Sequence, residues 1–235
     1  MTVPVRGLIF DKDGTLFDFR TTWEAWAAAF LRRAADGDEA HAARAGRAIG
    51  FDLVQAEFDS DSIAIAGTAQ EVVEALLPAF PASSPETLMA LINAEAARAP
   101  QAEAVPLAPL LDDLRARGLK LGVATNDSEA PTRSHLDGAG VTARFDFVAG
   151  FDSGHGGKPA PGQLLAFCAA VSLDPAEVVM VGDSLHDLLA GRAAGMRCVA
   201  VLTGMATAQD LSPHAMAVLD DIGGLPAWLD DQATH

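Results

Sequence analysis

The sequence predicts an α/β protein, a parallel sheet of right-handed βαβ units interrupted after its first strand by an all-helical insertion. Three observations predict it. Residues 3–10 form a short apolar run that stops at Asp11, as a buried strand running into a loop does. Residues 21–98 are rich in Ala, Leu and Glu and contain no convincing β-branched strand. After Pro106, short apolar runs alternate with helix-length segments, the pattern of strands joined by crossover helices. With 235 residues, half of them hydrophobic, the chain can bury one core and a smaller second one.

In chain order, the first strand lies within residues 3–10. Four or five helices follow, with breaks near Gly37, Gly50, Gly67 and Pro81 to Pro85. Trp23 and Trp26, three residues apart, are expected to pack inside this helical stretch. The alternating part then reads as helix 109–117, strand 119–125, helix 129–137, strand 145–151, helix 161–171, strand 178–181, helix 185–194 and strand 196–202. A weak strand at 215–219 and a helix near Leu225 complete it. The helical stretch separates the first strand from the rest of its sheet, so it is an insertion rather than a linker.

Composition narrows the function. The 16 basic and 32 acidic residues give a net charge of −16, which disfavours nucleic acid and anionic membranes as partners. A phosphate site in such a protein must be locally cationic. Cys168 and Cys198 have neither disulfide-framework nor metal-site spacing and read as small core residues. The N-terminal sequence does not read as a signal peptide, and no apolar run reaches membrane-spanning length. A reducing cytoplasm is therefore the expected location, with monomer and homodimer both open.

Ligands of open parallel sheets bind beyond the carboxyl ends of the strands. The first strand ends at Asp11, Asp13, Gly14 and Thr15, and the second at Thr125 and Asn126. The loop after the third holds Lys158, and the fourth strand ends at Gly182, Asp183 and Ser184, with Asp187 one helical turn on. Hard oxygen ligands supplied by few protein groups suit magnesium. Phosphoryl transfer accounts for the set, because it relies on positioning and charge neutralisation. Asp11 is the expected nucleophile, forming an aspartyl-phosphate, and Asp13 the general acid and base. Asp11 and Asp183 are the expected metal ligands, and Lys158 a second positive charge beside Asp11. Thr125 and backbone N–H groups near Gly14 and Asn126 are expected to bind phosphate oxygens. Asp187 is a supporting partner of Lys158 or of a metal-bound water, with Ser184 beside it. Arg20, where the insertion begins, is a candidate contact for a substrate anion. Asp18, Asp127, His155 and His186 are read as structural or incidental.

Asp11-Lys12-Asp13-Gly14-Thr15-Leu16 resembles the first motif of the haloacid dehalogenase superfamily. Thr125, Lys158-Pro159 and Gly182-Asp183-Ser184-Leu185-His186-Asp187 resemble the other three, in order and across most of the chain. The resemblance implies a Rossmann-like three-layer core of residues 1–18 and 104–235 with an α-helical cap at 19–103. It implies that Asp13 coordinates magnesium through its backbone carbonyl. It also implies a phosphatase acting on a small phosphorylated metabolite, phosphoglycolate being one candidate by similarity to phosphoglycolate-phosphatase-like members.

Other readings fit less well. A phosphomutase shares Asp11 and Asp13 and differs in its acceptor. A dehalogenase of this superfamily lacks the second aspartate. A phosphonatase needs a cap lysine, and residues 21–106 contain none. A calcium loop would place glycine sixth rather than fourth, and a P-loop would need glycine at Asp152 and a hydroxyl residue at Pro159. A receiver domain is shorter and uninterrupted. A non-catalytic family member is the remaining alternative, and the complete set Asp11, Asp13, Thr125, Lys158 and Asp183 argues against it.

Overall fold

The computed structural model describes residues 3–59 and 61–233. The chain begins with strand β1 (Gly7–Phe10) and continues through α1 (Phe19–Ala34), α2 (Glu39–Ala48), a short hairpin of β2 (Phe51–Asp52) and β3 (Glu57–Phe58), α3 (Ile63–Ala66), α4 (Ala69–Leu76) and α5 (Pro85–Ala96). It then alternates: α6 (Leu107–Ala116), β4 (Lys120–Ala124), α7 (Glu129–Gly138), β5 (Phe147–Ala149), α8 (Gly162–Val171), β6 (Val178–Gly182), α9 (Leu185–Ala193), β7 (Arg197–Val201), α10 (Ala208–Leu211), β8 (Ala217–Leu219) and α11 (Leu225–Ala233).

Six strands form one parallel sheet in the order β5-β4-β1-β6-β7-β8. The apolar run ending at Asp11 is its centre: Phe10 lies level with Val123 of β4 on one side and Val181 of β6 on the other. Successive strand residues face opposite sides. Leu8, Phe10, Leu121, Val123, Val179 and Val181 therefore pack with α6 and α11 on one face. Ile9, Met180, Cys198 and Ala200 pack with α8 and α9 on the other. The result is a three-layer α/β core, and the strand order reverses direction at β1, which places the ligand crevice beyond Asp11.

Residues 19–96 bury a separate cluster that includes Trp26, Phe30, Leu31, Phe51, Leu76 and Ile92. Its helices start where capping residues allow. Asp18 caps α1 and Asp38 caps α2, Thr68 and Glu71 form a reciprocal capping box on α4, and Ser84 with Pro85 starts α5. The two chain connections run side by side: the Asp18 N–H donates to the Ala102 carbonyl at 2.8 Å and the Ala104 N–H to the Leu16 carbonyl at 2.9 Å.

Three local features depart from the sequence reading. The hairpin at 51–58 replaces an all-helical stretch. It is held by the Phe51–Phe58 ring pair at 4.8 Å and by the Asp52 carboxylate, which accepts from the Val54 and Gln55 N–H groups. Helix α6 begins at Leu107, ahead of Pro109, because proline in a first turn forfeits no helical hydrogen bond and Glu103 Oε2 accepts from the Leu107 N–H at 2.9 Å. Helix α10 is a single turn closed by a Thr207/Asp210 capping box. Among the described residues, no helix is long and apolar enough to cross a membrane.

Cys168 and Cys198 are buried, and burial pushes both thiols up to about 11. Neither should react with iodoacetamide in the native protein at neutral pH, and both should react once it is unfolded; intact-mass analysis before and after denaturation checks this.

Candidate active site

The carboxyl end of the sheet gathers the charged residues that the strand ends supply. Lys158 Nζ donates to Asp11 Oδ1 and to Asp187 Oδ1, each at 2.6 Å. Both oxygens of Asp187 are engaged, since Oδ2 accepts from the Ser184 hydroxyl at 2.7 Å and the Ser184 N–H at 3.0 Å. Asp183 Oδ1 accepts from the Thr15 hydroxyl at 3.0 Å. Carboxylate oxygens of Asp11, Asp183 and Asp187 all lie within 4.8 Å of one another, and all three residues are buried.

Three carboxylates thus face one ammonium. Burial works against the Lys158 charge, but Asp11 and Asp187 outweigh it and hold the lysine above its usual value. Burial also raises Asp11, to about 7: the pull of Lys158 is not enough against burial and the repulsion of Asp187 and Asp13. Asp183 is raised well above the carboxylate range by burial and then by Asp11 and Asp187. Uncompensated carboxylates this close make a site that a divalent cation would neutralise. Asp187 is committed to Lys158 and Ser184, so Asp11 and Asp183 are the side chains best placed to hold one.

Backbone approach at this point requires glycine. Gly14 has φ +79°, and a Cβ on it would stand 2.4 Å from Asp183 Oδ2; a Cβ on Gly204 would stand 1.7 Å from the same atom. The sequence reading expected Gly14 to help bind phosphate. The N–H of Gly14 itself donates to the Phe17 carbonyl at 2.7 Å, and the residue makes room for Asp183. Thr203, beside Gly204, donates its hydroxyl to the Gly14 carbonyl at 2.6 Å and fixes the loop. Neither Gly204 nor Thr203 carried a signal in the sequence, since their strand leaves the sheet two positions from β1.

Thr125 is buried and accepts from the Asp127 N–H at 3.1 Å, leaving its hydroxyl hydrogen for an oxygen in the cleft. The Asn126 side chain is fully used: Oδ1 accepts from the Lys158 N–H at 2.7 Å, and Nδ2 donates to the carbonyls of Lys158 at 2.9 Å and Ala66 at 2.8 Å. It positions the Lys158 loop and ties it to α3, and only its backbone N–H is available to a ligand. Arg20 lies outside the cleft, exposed on the first turn of α1 and 3.6 Å from Glu24, because the helix turns that position toward solvent. Asp18 caps α1, His155 is exposed, and His186 lines the cleft.

One charged residue went unread. Lys12 is completely buried between the two aspartates of its motif. Its Nζ donates to Asp13 Oδ1 at 2.8 Å, pairs with Asp127 Oδ2 at 3.4 Å and sits 5.4 Å from the Trp23 ring centre. It also lies 2.9 Å from His135 Nδ1, and His135 Nε2 lies 2.7 Å from the Ala96 carbonyl. An ammonium only donates and a carbonyl only accepts, so Nδ1 accepts and Nε2–H donates in a neutral ring. Burial and then the Lys12 charge hold His135 down to about 4, in agreement. Burial raises Asp127 to about 6 despite Lys12. Lys12 stays charged because Asp13 and Asp127 outweigh its own burial.

These residues open into a cleft of about 650 Å³, part of it open to solvent. Asp11, Asp13, Thr125, Lys158 and Asp183 form one side, and Phe19, Trp23, Trp26, Ile65, Val72 and Ile92 the other.

Residues 5–195 match the model of the haloacid dehalogenase-like hydrolases, and the chain belongs to that family. It is 38% identical to a phosphoglycolate phosphatase of Rhodospirillum rubrum over 120 residues, which cover 51% of this chain and 50% of that protein. The match thus spans about half the length of that relative. It is 29% identical to an N-acetylmuramic acid 6-phosphate phosphatase of Pseudomonas putida, over 88% of this chain and 86% of that protein. The fold matches the crystal structure of a haloacid dehalogenase-like hydrolase from Bacteroides fragilis with a TM-score of 0.71 at 22% identity, over 94% of this chain and 99% of that one.

Two predictions follow from the buried charges. Lys12→Met leaves Asp13 and Asp127 without their partner and should lower stability by about 3–5 kcal/mol in urea unfolding; an unchanged midpoint would contradict the clamp. Protons compete with a cation for Asp11, whose folded-state value is raised to about 7. Magnesium binding measured by calorimetry should therefore tighten from about pH 6 to about pH 8, and equal affinity would contradict it.

Proposed function

We propose that this protein is a magnesium-dependent phosphatase hydrolysing a small phosphate monoester through an aspartyl-phosphate on Asp11. The observation that carries the reading is the Asp11–Lys158–Asp187 triad beside Asp183. It gives a nucleophile at the end of the central strand, one fixed cation and a surplus of buried carboxylate. Names of relatives, two of them phosphatases, support it.

In this mechanism Asp11 attacks phosphorus with the oxygen that Lys158 leaves free, and the bond from phosphorus to the leaving oxygen breaks. Asp13, in its acid form, gives that oxygen a proton. As a carboxylate it then takes a proton from water, whose oxygen attacks phosphorus and releases phosphate and Asp11. Lys12 holds Asp13 by one oxygen and leaves the other for these transfers. Thr125 and the Asn126 N–H orient the phosphoryl oxygens, and Lys158 balances their charge. Asp11, Asp183 and the Asp13 carbonyl would hold magnesium, which would supply the remaining positive charge.

Residues 19–103 act as a cap over a core of residues 1–18 and 104–235. The seated position is supported by Asn126 bonded to Ala66 and His135 to Ala96, and by the paired connections at 16–18 and 102–104. A phosphomutase reading needs polar groups on the cap side to hold a sugar hydroxyl as acceptor, and that wall is mostly apolar.

Hydrolysis of a panel of small phosphate esters, phosphoglycolate among them, should require magnesium and stop with EDTA. Asp11→Asn should abolish it, and Asp13→Asn should slow it by about 10²–10⁴-fold. Phosphate release from folded Asp11→Asn at the normal rate would refute the reading.

A further inference from the structure

The cleft has two unlike walls. All its anionic groups, together with Lys158 and His186, belong to the sheet side. The opposite wall is Phe19, Trp23, Trp26, Ile65, Val72 and Ile92, contributed by α1, α3, α4 and α5. None of the six arginines of residues 19–103 lines the cleft. Arg20, Arg32, Arg33 and Arg98 pair with Glu24, Glu39, Glu95 and Glu95 on the surface, and Arg44 and Arg47 are exposed. Lys12, the one cation near this wall among the described residues, is buried behind Trp23 and committed to Asp13, Asp127 and His135.

A substrate must present its phosphate to Asp11, so its leaving group faces the helical wall. An anionic leaving group would there be desolvated against aromatic and aliphatic side chains with no counter-charge, beside a cluster already rich in carboxylates. The two indoles of the wall present no accessible N–H to the cleft, for different reasons. Trp26 Nε1 donates to the Ile92 carbonyl at 3.2 Å, whereas the buried Trp23 Nε1 meets no acceptor among the described residues.

We infer that the site selects phosphate monoesters whose leaving group is uncharged and largely apolar, and that it discriminates against carboxylated esters. This rests on the phosphatase reading of the same site and sets its substrate class apart from phosphoglycolate.

Benzyl phosphate and 2-phosphoglycolate test it, since both are alkyl esters and differ in the charge of the leaving group. The magnesium-loaded protein should show kcat/KM for benzyl phosphate higher by about 100-fold or more. Ile65, half-buried on the wall, gives the converse variant: Ile65→Arg, checked for an unchanged melting profile, should shift the ratio toward phosphoglycolate by about tenfold or more. Calorimetric binding of both esters to Asp11→Asn gives the same ranking without turnover. Equal or better use of phosphoglycolate by the unmodified protein, or tighter binding of it to Asp11→Asn, would overturn the inference. Turnover of neither ester would count against the phosphatase reading, and the binding order would still decide this one.

Discussion

The Lys158 ammonium, held at 2.6 Å from both Asp11 and Asp187 in a buried pocket, is the interaction on which the site depends. Without it, Asp11 and Asp187 would be buried side by side with no counter-charge. The fold supplies what the pairing needs. β1 and β6 are neighbours in the sheet, so Asp11 and Asp183 leave it side by side. Asn126, from the next strand on the other side, fastens the backbone of Lys158 through two hydrogen bonds. Gly14 and Gly204 keep their backbones close enough to Asp183 that no side chain separates them.

The same loops reach the helical segment. Asn126 joins the lysine loop to α3, and the Lys12–His135–Ala96 chain joins the Asp11–Asp13 loop to the end of α5. Residues around the reacting centre thus bond both to the sheet end and to the segment above it. Lys12 connects the two layers electrostatically as well, since its charge balances Asp13 and Asp127 while its ammonium stands by the Trp23 ring that lines the opposite wall.

Much of this was legible in the sequence, for a simple reason. In a parallel sheet the residues after each strand converge on one edge, so reading strand ends found Asp11, Asp13, Thr125, Lys158, Asp183 and Asp187 without coordinates. What escaped depends on contacts between distant segments. Lys12 carried no reading of its own, and nothing local announces that His135, 123 residues away, accepts from it. Asp127, read as structural, forms a buried ion pair with Lys12 that its own position does not announce. Gly204 stands out only once Asp183 is seen pressed against it. The hairpin at 51–58 has two residues per strand, too few for a period to show. Arg20 was a candidate by its position in the chain, and the phase of α1 turned it outward.

The central claim is that Asp11 carries the phosphoryl group. Rapid mixing of enzyme with a hydrolysed phosphate ester, quenching with borohydride and peptide mass spectrometry test it most directly, because borohydride reduces an acyl phosphate to the alcohol. The account predicts homoserine at position 11, formed only when magnesium is present. Full turnover with Asp11 unmodified, or with reduction at another carboxylate such as Asp183, would contradict it.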